Sequence, residues 1–389
     1  MLPFRLALSP ALLLPTGYSL LPVFPASPSS FPPSNEHMAS RSHATSLAAL
    51  LCGSALLSAP LLHAQPGSHL PVVETDRIQV GASTIQVDFA EGPLDLPKSA
   101  IVARIATAAS AVATYFGRFP VSSARVLVIL VPGRHGVVQG TTWGDMHGFP
   151  GFTRIRLGEH TTAPELAADW TITHELVHMA FPSMPLDRDG PDQHESAQHW
   201  IEEGLATYIE PIARVMIGDL PAKKIWADMV RDMPQGEPQS GNRGLDQTHT
   251  WGRTYWGGAM FSLVADVEIR QQTHNRLGLQ DALRAIVAAG GTIDQNWDLP
   301  QALSIGDRAT NTHVLTELYA QWKDTPVQYD LPALWSRLGI LSTPNGVTSD
   351  GIDFVGTAPL ADIREAITQP KQNLVPATVV SPPQQFTNH

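Results

Sequence analysis

The run His174-Glu175-Leu176-Val177-His178 sets two histidines four residues apart with a glutamate between them. On a helix, residues four apart lie one above the other, so His174 and His178 aim two imidazoles at one point while Glu175 stands on a neighbouring face. Zinc accepts that arrangement: two neutral imidazoles hold it at about 2.0–2.1 Å, a carboxylate completes the protein ligands, and a water takes the open position. A carboxylate next to such a water takes its proton as it attacks a carbonyl. The residues therefore point to one Zn2+ per chain, with His174 and His178 as ligands and Glu175 as general base.

A metal also explains why a helix would carry these groups inward. Residues 165–181 contain neither Gly nor Pro, and Leu166, Trp170, Leu176, Val177 and Met179 give them apolar surface, which predicts a buried helix across the whole span. Three polar groups buried without partners are costly, and ligation removes the cost. For the third ligand, the segment after the Pro/Asp/Gly loop at 182–192 offers His194, Glu195, His199, Glu202 and Glu203. A third His in the H-E-x-x-H-x-x-G-x-x-H manner is excluded, because Phe181 and Met184 occupy the Gly and His places. A second helix over 196–210, ending before Pro211, is predicted from Trp200, Leu205, Ala206 and Ile209.

The run from Trp200 through Glu203-Gly204 to Tyr208 reads W-x-x-E-G-x-x-x-Y. Placed after H-E-x-x-H, it resembles the glutamate-zincins of the aminopeptidase N and glycyl aminopeptidase type. In those proteins the Glu directly before Gly is the third ligand, which the resemblance carries onto Glu203. Tyr255-Trp256-Gly257-Gly258 is similar to their Y-x-K-G segment, with Gly257 in place of the Lys. That likeness makes Tyr255 the donor to the oxyanion. Leu279-Gln280-Asp281-Ala282-Leu283-Arg284 looks most like glycyl aminopeptidases, and the stretches 319–322 and 331–340 are similar to the end of that catalytic domain. The likeness spans residues 164–340. It implies an α+β zincin (thermolysin-like) catalytic domain and a zinc metallopeptidase acting on a peptide or protein substrate.

The chain departs from that pattern at Trp143-Gly144-Asp145-Met146-His147-Gly148, where the aminopeptidases carry G-x-M-E-N. His147 stands in place of the Glu that anchors a substrate amino terminus, so an endopeptidase is preferred over an aminopeptidase. The changed loop and the missing Lys also sustain a reading of another class, a catalytically inactive zincin-fold binding or scaffold protein. The retained Glu175 speaks against it, since a purely structural zinc site has no use for that carboxylate.

The elements that must position these groups follow from hydrophobic period. Residues 77–80 and 84–90 alternate as half-buried strands about a Gly81 turn, 98–116 is an Ala-rich helix with Ile101, Ile105 and Val112 on it, and 125–131 and 153–157 are further strands. They predict a small twisted sheet with one helix over 65–160, then a mainly helical lobe over 161–340. In the peptidases it resembles, the strand at 153–157 borders the cleft and pairs with the substrate backbone. Further helices are expected at 222–233, 251–272, 279–289 and 312–323, and 237–248 is read as a loop over the cleft. The C-terminal segment 341–389 is expected to hold a strand and a short helix by 367, with disorder from about 369. Glu202 is expected at the solvent or cleft rim.

Composition sets the compartment and excludes some partners. Residues 1–64 form an N-terminal extension and signal peptide: Arg41 leads into an apolar run at 47–62 and the chain is cut after Ala64, so the mature protein is expected in the periplasm or outside the cell. That run contains Pro60 and is too short for a stable membrane span, and none is expected once the signal is removed. The single cysteine, Cys52, lies within it, so neither a disulfide nor a Cys-ligated metal is available afterwards. With a formal charge of −11 and no basic cluster, the chain is a poor partner for nucleic acid.

Overall fold

The alternation read at the N-terminal end builds half of a six-stranded sheet in a computed structural model that describes residues 71–186, 196–342 and 351–380. Strands β1 (Val72–Val80) and β2 (Ser83–Ala90) pair antiparallel through a turn in which Gly81 takes φ 56°, a backbone value that side chains disfavour. Helix α1 (Lys98–Phe116) carries the chain over to β3 (Ser123–Val131), which lies parallel to β2. A hairpin of β4 (Val137–Met146) and β5 (Phe149–Gly158) then completes this side, with β5 parallel to β3 and β4 at the edge.

β4 was absent from the sequence reading, which took 143–148 as a loop. Its middle, Gln-Gly-Thr-Thr, lacks the run of branched apolar residues that marks a buried strand, as befits an edge. The strand bordering the helix that carries His174 and His178 is therefore β4, and β5, containing 153–157, is an interior strand.

α1 is the one helix among the described residues long and apolar enough to cross a membrane, and 72% of that window is buried inside the protein. Ile101, Ile105 and Val112 are fully covered, as expected, between the sheet and the helices that follow. α1 thus acts as the central rod of the core.

The helical part comprises α2 (Ala163–Ala168), α3 (Thr171–His178), α4 (His199–Met216), α5 (Ala222–Asp232), α6 (Gly258–Gln272), α7 (Leu279–Ala288), α8 (Leu299–Thr310), α9 (Val314–Trp322) and α10 (Leu331–Leu338). A two-stranded ribbon of β6 (Ile340–Ser342) and β7 (Ile352–Phe354) follows, then α11 (Ala361–Ile367) and β8 (Ala377–Val380). The α+β expectation holds in outline, as a sheet with a covering helix followed by a mainly helical part.

Four details differ from the expectations. α8 was not read from the sequence. α4 continues through Pro211, because burial of Ile212, Ala213, Val215 and Met216 outweighs the roughly 3 kcal/mol that a mid-helix proline costs. The stretch 237–248 is anchored rather than free: Asp246 accepts hydrogen bonds from Trp200 Nε1 at 2.7 Å and Tyr319 Oη at 2.7 Å, and Leu245 is wholly buried. Disorder does not hold over 369–380 either, since β8 pairs antiparallel with β1 through Arg77↔Val380 to Val80↔Ala377, while residues 381–389 lie outside the described residues. The polar composition of 369–389 concealed the short Thr378-Val379-Val380 run, which docks because β1 offers an open edge.

Candidate metal centre

The predicted helix at 165–181 is interrupted. Asp169 leaves the helical conformation, and its carboxylate accepts the Ile172 backbone N–H at 2.9 Å, which starts α3 afresh. The carbonyls left over at the end of α2 are taken by guanidinium groups. Arg214 donates to Ala167 O at 3.0 Å and Asp169 O at 3.0 Å, and Arg104 donates to Asp169 O at 2.6 Å. Both arginines also reach Asp219, and Arg214 pairs with the buried Glu210 at 3.1 Å. Burial pushes the Glu210 carboxyl up to about 7 against the pull of Arg214.

From this fixed start, α3 aims His174 and His178 toward α4. His174 Nε2 lies 3.0 Å and His178 Nε2 3.6 Å from Glu203 Oε2, and one donor atom from each of the three residues falls within 4.8 Å of the others. Ligands about 2.0–2.2 Å from a tetrahedral zinc stand roughly 3.3–3.6 Å apart, so the observed spacings straddle the requirement. Burial opposes ionisation of Glu203, but His178 and His174 outweigh it and bring the carboxyl down to about 2. Glu203 is thus an anion throughout the neutral range. The other imidazole nitrogen of His174, Nδ1, is buried without a hydrogen-bond partner. The donor set fits one zinc ion, and the structure brings together all three residues assigned to it from the sequence.

Glu175 is buried on the adjoining face, between α3 and β4. Its Oε2 accepts from Thr142 Oγ1 at 2.8 Å, and the Thr142 hydroxyl also lies 2.9 Å from Thr153 Oγ1. Burial raises its pKa, opposed by the nearby His178 and by the Thr142 hydrogen bond, and this direction suits a base that works near neutrality. Gly140, two residues before Thr142 on the same strand face, leaves the room: a Cβ there would stand 2.5 Å from Glu175 Cγ.

Tyr255 also comes to this side. It sits in a π-turn, Arg253–Gly257, which widens the start of α6, and its ring lies over that of His174 at 6.2 Å with 22° between the planes. The close approach of α4 and α6 makes this possible. A Cβ on Gly204 would fall 2.3 Å from the Gly258 backbone, and one on Gly258 would fall 2.2 Å from Trp200 O. The glycines of the E-G and G-G pairs are therefore demanded by backbone packing beside the metal ligand.

Two partners were not assigned these roles from the sequence. His199 was weighed as a ligand and instead places Nε2 3.4 Å from the second oxygen of Glu203, with Nδ1 3.3 Å from Glu202. Its position one turn before Glu203 was the signal for that placement. Thr142 had no such signal, because it reaches Glu175 only through the sheet register. Glu202, expected at the rim, accepts the Met184 N–H at 3.1 Å and ties down the chain leaving α3. His194 and Glu195 lie outside the described residues.

His147 is not at the centre. It occupies the exposed tip of the β4–β5 hairpin at φ 55° and rests edge-on against Phe152. The residue type that suggested endopeptidase activity is thus displaced from the place the sequence match gave it.

No protein-family model and no curated protein matches the chain. Among solved structures it is similar to an aminopeptidase N family protein from Idiomarina loihiensis, with a TM-score of 0.51 and 13% identity over 70% of this chain and 50% of that one. An M1 zinc metallopeptidase from Deinococcus radiodurans gives a TM-score of 0.42 at 16% identity over 66% and 52% of the two chains. Yeast LTA4 hydrolase gives 0.39 at 12% over 68% and 42%. The chain spans about half the length of these structures. The likeness to the first is one of fold, and it lies with the aminopeptidase N type, the more distant of the two resemblances read from the sequence.

Proposed function

We propose that the chain is an exported zinc metallopeptidase that hydrolyses peptide bonds. The observation that carries this reading is the pairing of a three-residue donor set, His174, His178 and Glu203, with a buried carboxylate, Glu175, on the next face of the same helix. Those three residues would hold a zinc ion, which would supply a Lewis acid for the scissile carbonyl and for a bound water. Glu175 takes the proton from the attacking water and delivers it to the leaving amine, while Thr142 holds its carboxylate in place. Tyr255, on its π-turn, donates its phenolic hydroxyl to the developing oxyanion. Preference for internal bonds over free amino termini rests on the sequence of the run 143–148, which lacks the G-x-M-E-N pattern of the aminopeptidases it resembles; His147 itself sits at the exposed hairpin tip. Export rests on the signal features of residues 1–64, and N-terminal sequencing of the mature protein is expected to begin near Gln65.

Zinc content and turnover separate the enzyme from a scaffold. One zinc per chain is expected in the parent and in Glu175→Gln, and less than half an equivalent in His178→Ala and Glu203→Gln. Glu175→Gln should lose hydrolysis by several orders of magnitude while keeping its metal, since base and Lewis acid act on one water. Unblocked and N-acetylated peptide libraries run side by side decide between modes, with blocked peptides expected to be cut at least as well. A zinc-loaded parent that cuts neither library overturns the enzyme reading in favour of the scaffold.

A further inference from the structure

Two of the nine tryptophans are open to solvent, Trp170 at 46% and Trp251 at 60%, and both flank the metal centre. Trp170 stands one turn before His174 and meets its imidazole edge-on at 5.1 Å with the planes at 90°. Trp251 stands one turn before Tyr255 and stacks on it at 5.5 Å with 25° between planes. Because Tyr255 in turn lies over His174, the four rings form one row in which the inner two are site residues and the outer two are exposed.

The backbone under each indole is fixed. Trp170 follows the junction that Arg104 and Arg214 clamp. Trp251 precedes Gly252, whose Cα packs so closely on Gln235 O that a Cβ would stand 2.4 Å from it. The remaining seven tryptophans are buried or half-buried, so the fold has room to cover indoles elsewhere. Large apolar groups held rigidly in water beside a reactive centre mark the wall of a binding site.

We propose that Trp170 and Trp251, one at each end of this row, are aromatic walls of the substrate site beside the metal centre, selecting peptides with Phe, Tyr or Trp near the bond that is cut; this rests on the peptidase reading above. An aromatic side chain is favoured over an aliphatic one because its ring meets an indole offset or edge-on, which adds to the gain from burying its area. The discrimination against Ala at that position is expected to be about tenfold or more.

Binding without turnover tests this. Zinc-loaded Glu175→Gln protein is titrated calorimetrically with N-acetylated, C-amidated peptides in which Phe or Ala occupies each position in turn. One position should show Phe bound about tenfold or more tighter than Ala. That ratio should fall to about threefold or less in Trp170→Ser or in Trp251→Ser, whichever indole meets that position, with zinc content and melting temperature kept. Trp251→Leu serves where the Ser variant does not fold, and should trade Phe selectivity for Leu. Equal affinities at every position, no peptide binding, or a ratio that survives in both variants would overturn the proposal. Cleavage is read separately in the parent. Phe-selective binding without hydrolysis sinks the peptidase reading and leaves the subsite, whereas hydrolysis indifferent to aromatic residues does the reverse.

Discussion

Glu203 answers to two sets of groups at once: one oxygen faces the His174 and His178 nitrogens, and the other faces His199. A ligating carboxylate held from behind cannot swing away from its ion, and loss of such an outer partner costs about 10–100-fold in metal affinity. His199→Ala is accordingly expected to weaken zinc binding by that factor in competition with a chromophoric chelator, while the far-ultraviolet circular dichroism stays that of the parent. The juxtaposition of the donor set was legible because helical spacing is local: His174 and His178 stand four apart, and the W-x-x-E-G pattern singled out Glu203, which the structure brings to them. Thr142 was not legible, since nothing within ten residues of it says that β4 will lie against Glu175. His147 misled for a related reason. A match of neighbouring letters set it in place of an amine-anchoring Glu, but it occupies the exposed turn of the β4–β5 hairpin.

Among the elements, the backbone contact of α4 with α6 ties Glu203 to Tyr255. Gly204→Ala forces those helices apart or strains them, and is expected to destabilise the fold by about 1–3 kcal/mol, read in urea denaturation, with a matching loss of zinc affinity. The junction between α2 and α3 behaves differently because its buried ionisable group is shifted. Glu210 has a folded pKa raised from 4.5 to about 7, with Arg214, Arg104, Asp169 and Asp219 around it. A raised pKa means that the folded state holds the proton more tightly than the unfolded one. The contribution to stability is therefore complete below about pH 4.5 and is lost as pH rises through about 7, amounting to up to roughly 3 kcal/mol. Melting temperature against pH for zinc-loaded parent and Glu210→Gln should show the parent falling more steeply between pH 5 and 7. Element types were mostly readable from period, as with α1 and β3. The break at Asp169 was not, because its carboxylate competes with the helix for Ile172 and remote Arg214 supplies the partners that make the break affordable.

For the whole molecule, the C-terminal segment is part of the fold. Lys371 N donates to Met216 O at 2.9 Å, Val375 N donates to Thr114 Oγ1 at 3.1 Å, and Ser110 Oγ donates to Val375 O at 2.7 Å, before β8 closes the edge beside β1. Deletion of residues 369–389 removes these bonds together with the ladder, and is expected to cost about 2–4 kcal/mol in thermal or urea unfolding. A deletion without effect would restore the reading of a dispensable tail. The pairing of β8 with β1 has a topological consequence as well. β8 ends opposite Arg77 and runs antiparallel to β1, so its chain direction leads toward Val72, where the described part of the protein begins. The two ends of the fold meet on one side of the sheet, and a linker of about six to eight residues would join them at roughly 3.3 Å per residue. The order of the chain can then be rotated: a circular permutant opened at the exposed turn 239–242 would carry every metal-site residue in the same three-dimensional frame, with β8 and β1 fused into consecutive strands.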